Sequence, residues 1–283
     1  MPALLIEAPE LKTLLDQANI NKASNFDTKN TEPALILVDL GKEERYQDSH
    51  IPGAVLVTPG ETQAGPPVPG LAPSDINLTR IMQRIGLNEN SHVIVYDDEG
   101  GGWAGRFIWL LDEIGHKHYS YLNGGIHAWA AEGFELQSGE ENNSPSNIEV
   151  RANEQHSITL EALCQELDNK DIQVWDARSP MEYRGETVYG ARGGHIPGAL
   201  NYEWTRAMDK QRDLRLKPLD HLKSELAAEG IFPDKITVTH CQSHHRSGLT
   251  YLLAKLLGFT NIRAYPGSWG EWGNNPNTPI ELP

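Results

Sequence analysis

The sequence predicts an α/β protein of two tandem domains, each a mainly parallel sheet flanked by helices on both faces. Three observations carry that expectation. The chain has 283 residues, enough for about two domains at roughly 150 residues each. Short β-branched runs alternate with segments of helical periodicity, the pattern of parallel sheets covered on both sides. The second half also repeats the first. Val93-Ile94-Val95-Tyr96-Asp97-Asp98 aligns with Ile236-Thr237-Val238-Thr239-His240-Cys241, 143 positions apart, as 241 is from 98. The same offset carries Gly105 onto Gly248, Gly115 onto Gly258, Gly124 onto Gly267 and Trp129 onto Trp272, a register that chance does not keep.

The elements follow in order. In the first half, Asp39-Leu40-Gly41-Lys42-Glu43-Glu44-Arg45-Tyr46 precedes His50-Ile51-Pro52-Gly53-Ala54. In the second, Asp176-Ala177-Arg178-Ser179-Pro180-Met181-Glu182-Tyr183-Arg184 precedes His195-Ile196-Pro197-Gly198-Ala199. The Asp-to-His separation is 11 (39 to 50) in one half and 19 (176 to 195) in the other, so the second copy carries an eight-residue insertion. The His-Ile-Pro-Gly-Ala segment recurs in the half without a matching cysteine, and so reads as a turn feeding a strand. Leu78, Met82 and Ile85 mark a helix with Ser74 as its cap and Gly86 as its stop. Residues 139–156 are polar and hold Glu140-Glu141-Asn142-Asn143-Ser144-Pro145, a linker composition. The chain therefore divides into domains at 1–138 and 157–283. In the second, Leu160, Leu163 and Leu167 predict a helix from near Thr159, and residues 172–176 a strand. Leu219, Leu222 and Leu226 predict a helix ended by Gly230. Residues 236–239 predict a buried strand and residues 247–258 an apolar helix.

Charge and composition remove several function classes. Lys plus Arg is 24 against 39 for Asp plus Glu, a formal net charge of −15. Such a chain repels polyanions, so no nucleic-acid partner is expected, and an anionic substrate needs a local positive pocket. The longest apolar stretches, such as residues 107–111, are far short of the roughly 20 needed to cross a bilayer. The amino-terminal residues 1–7 have neither a basic segment nor a long apolar core, so no secretory signal is expected. Two cysteines, Cys164 and Cys241, cannot make a disulfide framework. The expectation is a cytoplasmic chain with no membrane partner.

In sheets of this class, ligands bind beyond the carboxyl ends of strands. There lies His240-Cys241-Gln242-Ser243-His244-His245-Arg246, between a predicted strand and a predicted helix. Backbone N–H groups and the helix dipole favour a thiolate at such a position, and Arg246 adds a fixed positive charge. Those conditions lower a cysteine pKa and make the sulfur a nucleophile. Cys164, on the inner side of a leucine-rich helix, reads instead as a small buried apolar group. His240, Cys241, His244 and His245 are also zinc-type ligands. Adjacent histidines on a tight loop rarely converge on one ion, and no second ligand pair has zinc-finger spacing. Neither a metal nor a cofactor is expected.

The duplicated Asp-to-His-Ile-Pro-Gly-Ala segment, the strand–Cys–loop–helix and the closing Tyr265-Pro266-Gly267-Ser268-Trp269-Gly270-Glu271-Trp272 resemble tandem-domain rhodaneses, the thiosulfate sulfurtransferases. The resemblance covers nearly the whole chain and implies two rhodanese-like domains. The loop Cys241-Gln242-Ser243-His244-His245-Arg246-Ser247 is similar to the bacterial thiosulfate-using branch. It differs from the basic Cys-Arg-Lys-Gly loop of the animal enzymes and from the Cys-Gly-Ser-Gly loop of the mercaptopyruvate enzymes, which leaves a mercaptopyruvate-type donor as an alternative. The resemblance implies that Cys241 takes the outer sulfur of thiosulfate as a persulfide and yields it to a small thiophile, cyanide or a thiol, or to a sulfur-accepting protein. It also implies that Arg246 anchors the sulfonate, that Arg184 helps bind the donor, and that Gln242, Ser243, His244 and His245 shape the pocket. Arg192, in the insertion, is a further candidate for donor binding or an ordinary surface arginine, and Trp204 is a candidate apolar wall.

Two other readings compete. Cell-cycle dual-specificity phosphatases resemble the same domain, but their loop has five residues between Cys and Arg. Here there are four, Gln242 to His245, a smaller cradle suited to one sulfur atom. A non-catalytic binding module on the duplicated scaffold fits the first half better than the second. There Asp98 stands at the Cys241 position, Glu99 adds negative charge, and Trp103 replaces Arg246. Arg106, one helical turn further on, is expected to point elsewhere, and the first half to be catalytically silent.

Overall fold

The computed structural model describes residues 3–23 and 34–283; Met1 and Pro2 of the amino-terminal reading lie outside them. The first half contains β1 (Leu5–Ile6), α1 (Ala8–Ala23), β2 (Leu35–Asp39), α2 (Glu43–Asp48), β3 (Ala54–Leu56), α3 (Asp75–Arg84), β4 (His92–Tyr96), α4 (Gly102–Glu113), β5 (Tyr119–Leu122) and α5 (Gly125–Ala131). Its strands form one parallel sheet in the order β1-β5-β4-β2-β3. Every residue of β4 is buried, as expected of a central strand whose apolar run serves both faces. The Ser74 side chain caps α3 by accepting from the Asn77 N–H, and Gly86 follows with φ +78°.

The second half contains α6 (Leu160–Glu166), β6 (Ile172–Asp176), α7 (Pro180–Tyr183), β7 (Leu200–Asn201), β8 (Met208–Asp209), β9 (Arg215–Leu216), α8 (Leu219–Ala228), β10 (Ile236–His240), α9 (Arg246–Leu256), β11 (Ile262–Ala264) and α10 (Ser268–Trp272). The order β11-β10-β6-β7 is again parallel. A single bridge from Ser157 to Ala264 takes the place that β1 holds in the first sheet. The strand and helices flanking Cys241 lie where the periodicity put them. The short antiparallel ribbon of β8 and β9 has no counterpart among the expected elements, since two-residue strands carry no alternation to detect. Cys164 is half-buried against the second core rather than enclosed by it. Leu163, its neighbour in the same helix, is fully buried, so Cys164 lies at the edge of the helix's apolar face and not at its centre.

Residues 139–156 have no regular structure but are strapped to the first half. Asn143 donates to the Ile85 carbonyl, the Ser146 N–H to Gln83, and the Val150 N–H to the Thr79 hydroxyl. The halves meet where α4 crosses α9. A β-carbon on Gly105 would collide with the carbonyl of Gly248, and one on Gly248 with the backbone of Gly102 and Arg106, so the crossing needs glycine at both positions. Two arms reach across beside it. From the first half, Gly70 packs on the backbone of Ser243 and Pro266. From the second, the Leu216 N–H donates to Asn123 and Arg215 pairs with Glu7 and Glu132. Asp112 of α4 receives Tyr251 at 2.7 Å and Lys255 at 2.6 Å from α9.

Candidate active site around Cys241

β10 ends at His240 and α9 begins at Arg246, so Cys241 sits at the carboxyl end of a central strand and below a helix amino terminus. The turn before α10 pins the loop from one side. The Cys241 N–H donates to the Ser268 hydroxyl at 3.2 Å, and the Cys241 and Gln242 carbonyls accept from the N–H groups of Trp269 and Gly270 at 2.9 and 2.8 Å. The thiol is 1 % exposed. Ser247 donates its hydroxyl proton to Sγ at 3.4 Å, and His244 Nδ1 lies 2.8 Å from the same hydroxyl oxygen. With a Cys241 thiolate accepting that proton, Nδ1 donates its hydrogen to Ser247. His244 adopts φ +57° to do this, a left-handed conformation costly for a non-glycine residue and held here by its contacts.

Burial is the largest influence on the Cys241 thiol and raises its pKa. The Arg246 charge, the Ser247 hydroxyl and the N–H groups of Ser247 and Ser243 together outweigh burial, leaving it below the ordinary value. His240, fully buried with Nε2 3.5 Å from Asp176, is pushed down to about 4, mainly by burial. Burial also holds the His244 imidazole well below its ordinary value. Both rings are neutral at pH 7, so neither competes with Arg246 as the cation of the loop.

The structure gathers six of the seven candidates. Cys241, Gln242, Ser243, His244, His245 and Arg246 form one loop, with Gln242 donating to the Tyr189 carbonyl of the insertion at 3.2 Å. Arg246 is not an open fork. Its two terminal nitrogens meet the Glu182 carboxylate at 2.6 and 2.8 Å, a residue passed over because nothing local links positions 64 apart. The Ser-x-x-Glu signature of Ser179 and Glu182, which form a capping box, was the available signal that Glu182 points inward. Arg184 is turned outward instead, paired with exposed Glu186 at 2.7 Å. Arg192 is part-buried and donates to the carbonyls of Trp272 and Thr278 at 3.0 and 2.9 Å, stapling the insertion to the carboxyl-terminal segment. Trp204 stands against His245, ring centroids 5.3 Å apart. The candidate zinc ligands diverge, His240 toward Asp176, His244 toward Ser247 and His245 toward Glu99.

One wall of the site comes from the first half. His245 stacks on Trp103 at 4.1 Å and lies 3.1 Å from Glu99. Arg106 does not point elsewhere but into this interface, with Nη1 2.8 Å from the Gly70 carbonyl and 3.4 Å from that of His244. The equivalent loop of the first half is filled from within. Asp97, at the His240 position, accepts from the N–H groups of Glu99, Gly101, Trp103 and Ala104 at 3.1, 2.8, 3.0 and 3.0 Å. Ala104 corresponds to Ser247, so the Asp97 carboxylate takes the N–H that serves the sulfur in the other copy. Asp98 is part-buried, 3.5 Å from Arg45.

Such a site can hold a sulfur-centred anion in a buried cradle of N–H and O–H donors beside one guanidinium. Comparison with known proteins gives this geometry a lineage. The model of the rhodanese-like domain matches residues 21–132 and again 159–275. A thiosulfate sulfurtransferase of Azotobacter vinelandii is 50 % identical over 260 residues, covering 92 % of this chain and 95 % of that protein. One of Pseudomonas aeruginosa is 49 % identical over 251 residues, 88 % of this chain and 92 % of its own. Among solved structures, an anaerobic ergothioneine biosynthesis enzyme from Chlorobium limicola shares the fold with a TM-score of 0.82 at 20 % identity, over 99 % of this chain and 70 % of that one. The chain belongs to the rhodanese family, with two copies of the family's domain in tandem.

Proposed function

We propose that the chain transfers the sulfane sulfur of thiosulfate through Cys241 to a thiophilic acceptor. The Cys241 thiolate attacks the outer sulfur, the donor's S–S bond breaks with its electron pair leaving on sulfite, and a persulfide remains. Cyanide, a small thiol or an acceptor protein's thiolate then attacks the terminal sulfur and returns the Cys241 thiolate, with cyanide leaving as thiocyanate. The observation that carries this reading is a buried cysteine at a helix amino terminus, its sulfur accepting from the Ser247 hydroxyl at 3.4 Å in the loop that ends at Arg246. The Ser243 and Ser247 N–H groups would stabilise the anionic sulfur as it grows. Arg246 would meet the sulfonate with the N–H groups that Glu182 leaves free, Arg184 would act at the exposed rim, and Gln242, Ser243, His244 and His245 would shape the pocket. The relatives named for thiosulfate agree with that donor.

In this reading residues 157–283 are the catalytic unit, 139–156 the linker, and 1–138 a silent copy that walls the site. Two cysteines without a disulfide suit a reducing cytoplasm. Intact-mass spectrometry after incubation with thiosulfate is expected to show one added sulfur on the wild type and none on Cys241→Ser, while Cys164→Ser behaves as wild type. Thiosulfate:cyanide turnover retained by Cys241→Ser, or lost in Cys164→Ser alone, would overturn the assignment.

A further inference from the structure

Arg106 belongs to the first half, yet its side chain is fully buried at the edge of the Cys241 loop. Nε and Nη2 donate to the Thr62 carbonyl at 3.0 and 2.6 Å, Nη2 also to Leu71 at 3.0 Å, and Nη1 to Gly70 at 2.8 Å and His244 at 3.4 Å. All these acceptors are neutral, and no carboxylate pairs with it among the described residues. A guanidinium stays protonated in such a place, and burying it without a counter-charge is costly. Burial lowers its pKa, and the Cys241 thiolate acts in the opposite direction. Arg246, the cation of the loop itself, is already paired with Glu182, and Asp176 with Arg178. A direct route also exists, because the His244 carbonyl touches Arg106 while its ring, through Ser247, reaches Sγ.

We propose that Arg106 is a positioning residue for the chemistry of the second half: lent across the interface, its guanidinium orients His244 and supplies the counter-charge that keeps Cys241, and the sulfur it carries, anionic. The proposal rests on reading Cys241 as the sulfur carrier. It gives the first half a part in the reaction that its own filled loop does not suggest.

The test is the pH dependence of Cys241 modification by iodoacetamide, read by peptide mass in three full-length proteins: wild type, Arg106→Gln, which keeps amide donors without the charge, and Arg106→Lys, which keeps the charge without the fork. Arg106→Gln is expected to raise the midpoint by about half a pH unit or more and to lower kcat for thiosulfate roughly threefold below the midpoint, in step with the smaller thiolate fraction, with KM little changed. Arg106→Lys is expected to keep the wild-type midpoint. A folded Arg106→Gln with the wild-type midpoint, or an Arg106→Lys that shifts as far as Arg106→Gln, would overturn the proposal. If Arg106→Gln does not fold, Thr62→Asp decides, because it places a carboxylate where the Thr62 hydroxyl lies 3.2 Å from Arg106 Nε, with Thr62→Asn as the uncharged control. A midpoint raised in Thr62→Asp but not in Thr62→Asn supports the proposal, and equal midpoints in the two refute it. Failure of the sulfur-carrier reading shows separately, as no added sulfur from thiosulfate on a protein whose alkylation midpoints still shift.

Discussion

A thiol depressed below its unfolded-state pKa stabilises the folded chain above that unfolded value and loses the contribution as pH falls through the folded pKa. Cys241 is such a group, and its reactivity has the same sense. The acid limb of kcat/KM for thiosulfate is therefore expected below the ordinary thiol range, and Arg246→Ala should move that limb to higher pH. The same substitution removes a charge-assisted contact worth roughly 1.5–3 kcal/mol, about ten- to a hundredfold in kcat/KM. Arg246→Lys should restore part of it, since an ammonium keeps the charge without the fork. Steady-state kinetics from pH 5 to 9 check both, and an unmoved acid limb in Arg246→Ala would show that the thiolate is stabilised elsewhere. Cys241 was legible in the sequence because strand, loop, helix and arginine are contiguous there. Glu182 and Arg106 were not, because their partners lie 64 and up to 138 positions away and a periodicity says nothing about contacts made by folding. Arg184 is legible as a motif position, but its surface pairing with Glu186 is not, because a motif fixes the residue and not the direction of its side chain.

Loops, more than strands and helices, separate the two copies. The parallel sheets, the capped helices and the glycine stops were all readable from short-range pattern, whereas the β8–β9 ribbon was too short to leave one. The first-half loop was read as silent on account of Asp98, Glu99 and Trp103. The structure adds Asp97, whose carboxylate already accepts four backbone N–H groups. In a Cys241→Ser background, Asp98→Cys is accordingly expected to take up no sulfur from thiosulfate. The donors that the new thiol needs would remain occupied by Asp97. A persulfide detected by mass at position 98 would contradict this. Asp97→Ala should cost about 2–4 kcal/mol in urea unfolding by leaving buried N–H groups unpartnered. Loop length is a third handle: one residue added between Ser243 and His244 should abolish sulfur transfer by separating the His244–Ser247 pair from Sγ. Faster hydrolysis of an aryl phosphate than sulfur transfer by the unaltered protein would favour the phosphatase reading instead.

Across the whole molecule, the repeat register showed that there are two copies but not how they meet. Gly105 and Gly248 were visible only as matched letters; their collision-limited crossing depends on helix faces from both halves. Gly105→Ala is expected to force α4 and α9 apart at a cost of roughly 1–3 kcal/mol and to lower sulfur transfer with it, because Trp103 and Arg106 ride on α4 and Glu99 on the loop that leads into it as they line the site. Urea melts paired with the thiosulfate assay measure both, and a stable Gly105→Ala with normal turnover would show that the wall is not rigidly coupled to the crossing. The two glycines occupy the same position in their copies, and each copy's arm rests on the other at matching places, Gly70 on Pro266 and Leu216 on Asn123. Contacts in which a residue meets its own counterpart define an isologous, two-fold interface. Fusing a single-domain homodimer end to end would inherit that axis with no new surface to build, and would begin with two identical sites facing each other across it. In a single chain the two loops can differ, one as an aromatic and charged face fitted to its neighbour, a specialisation unavailable to a true homodimer, in which every substitution appears on both sides of the axis.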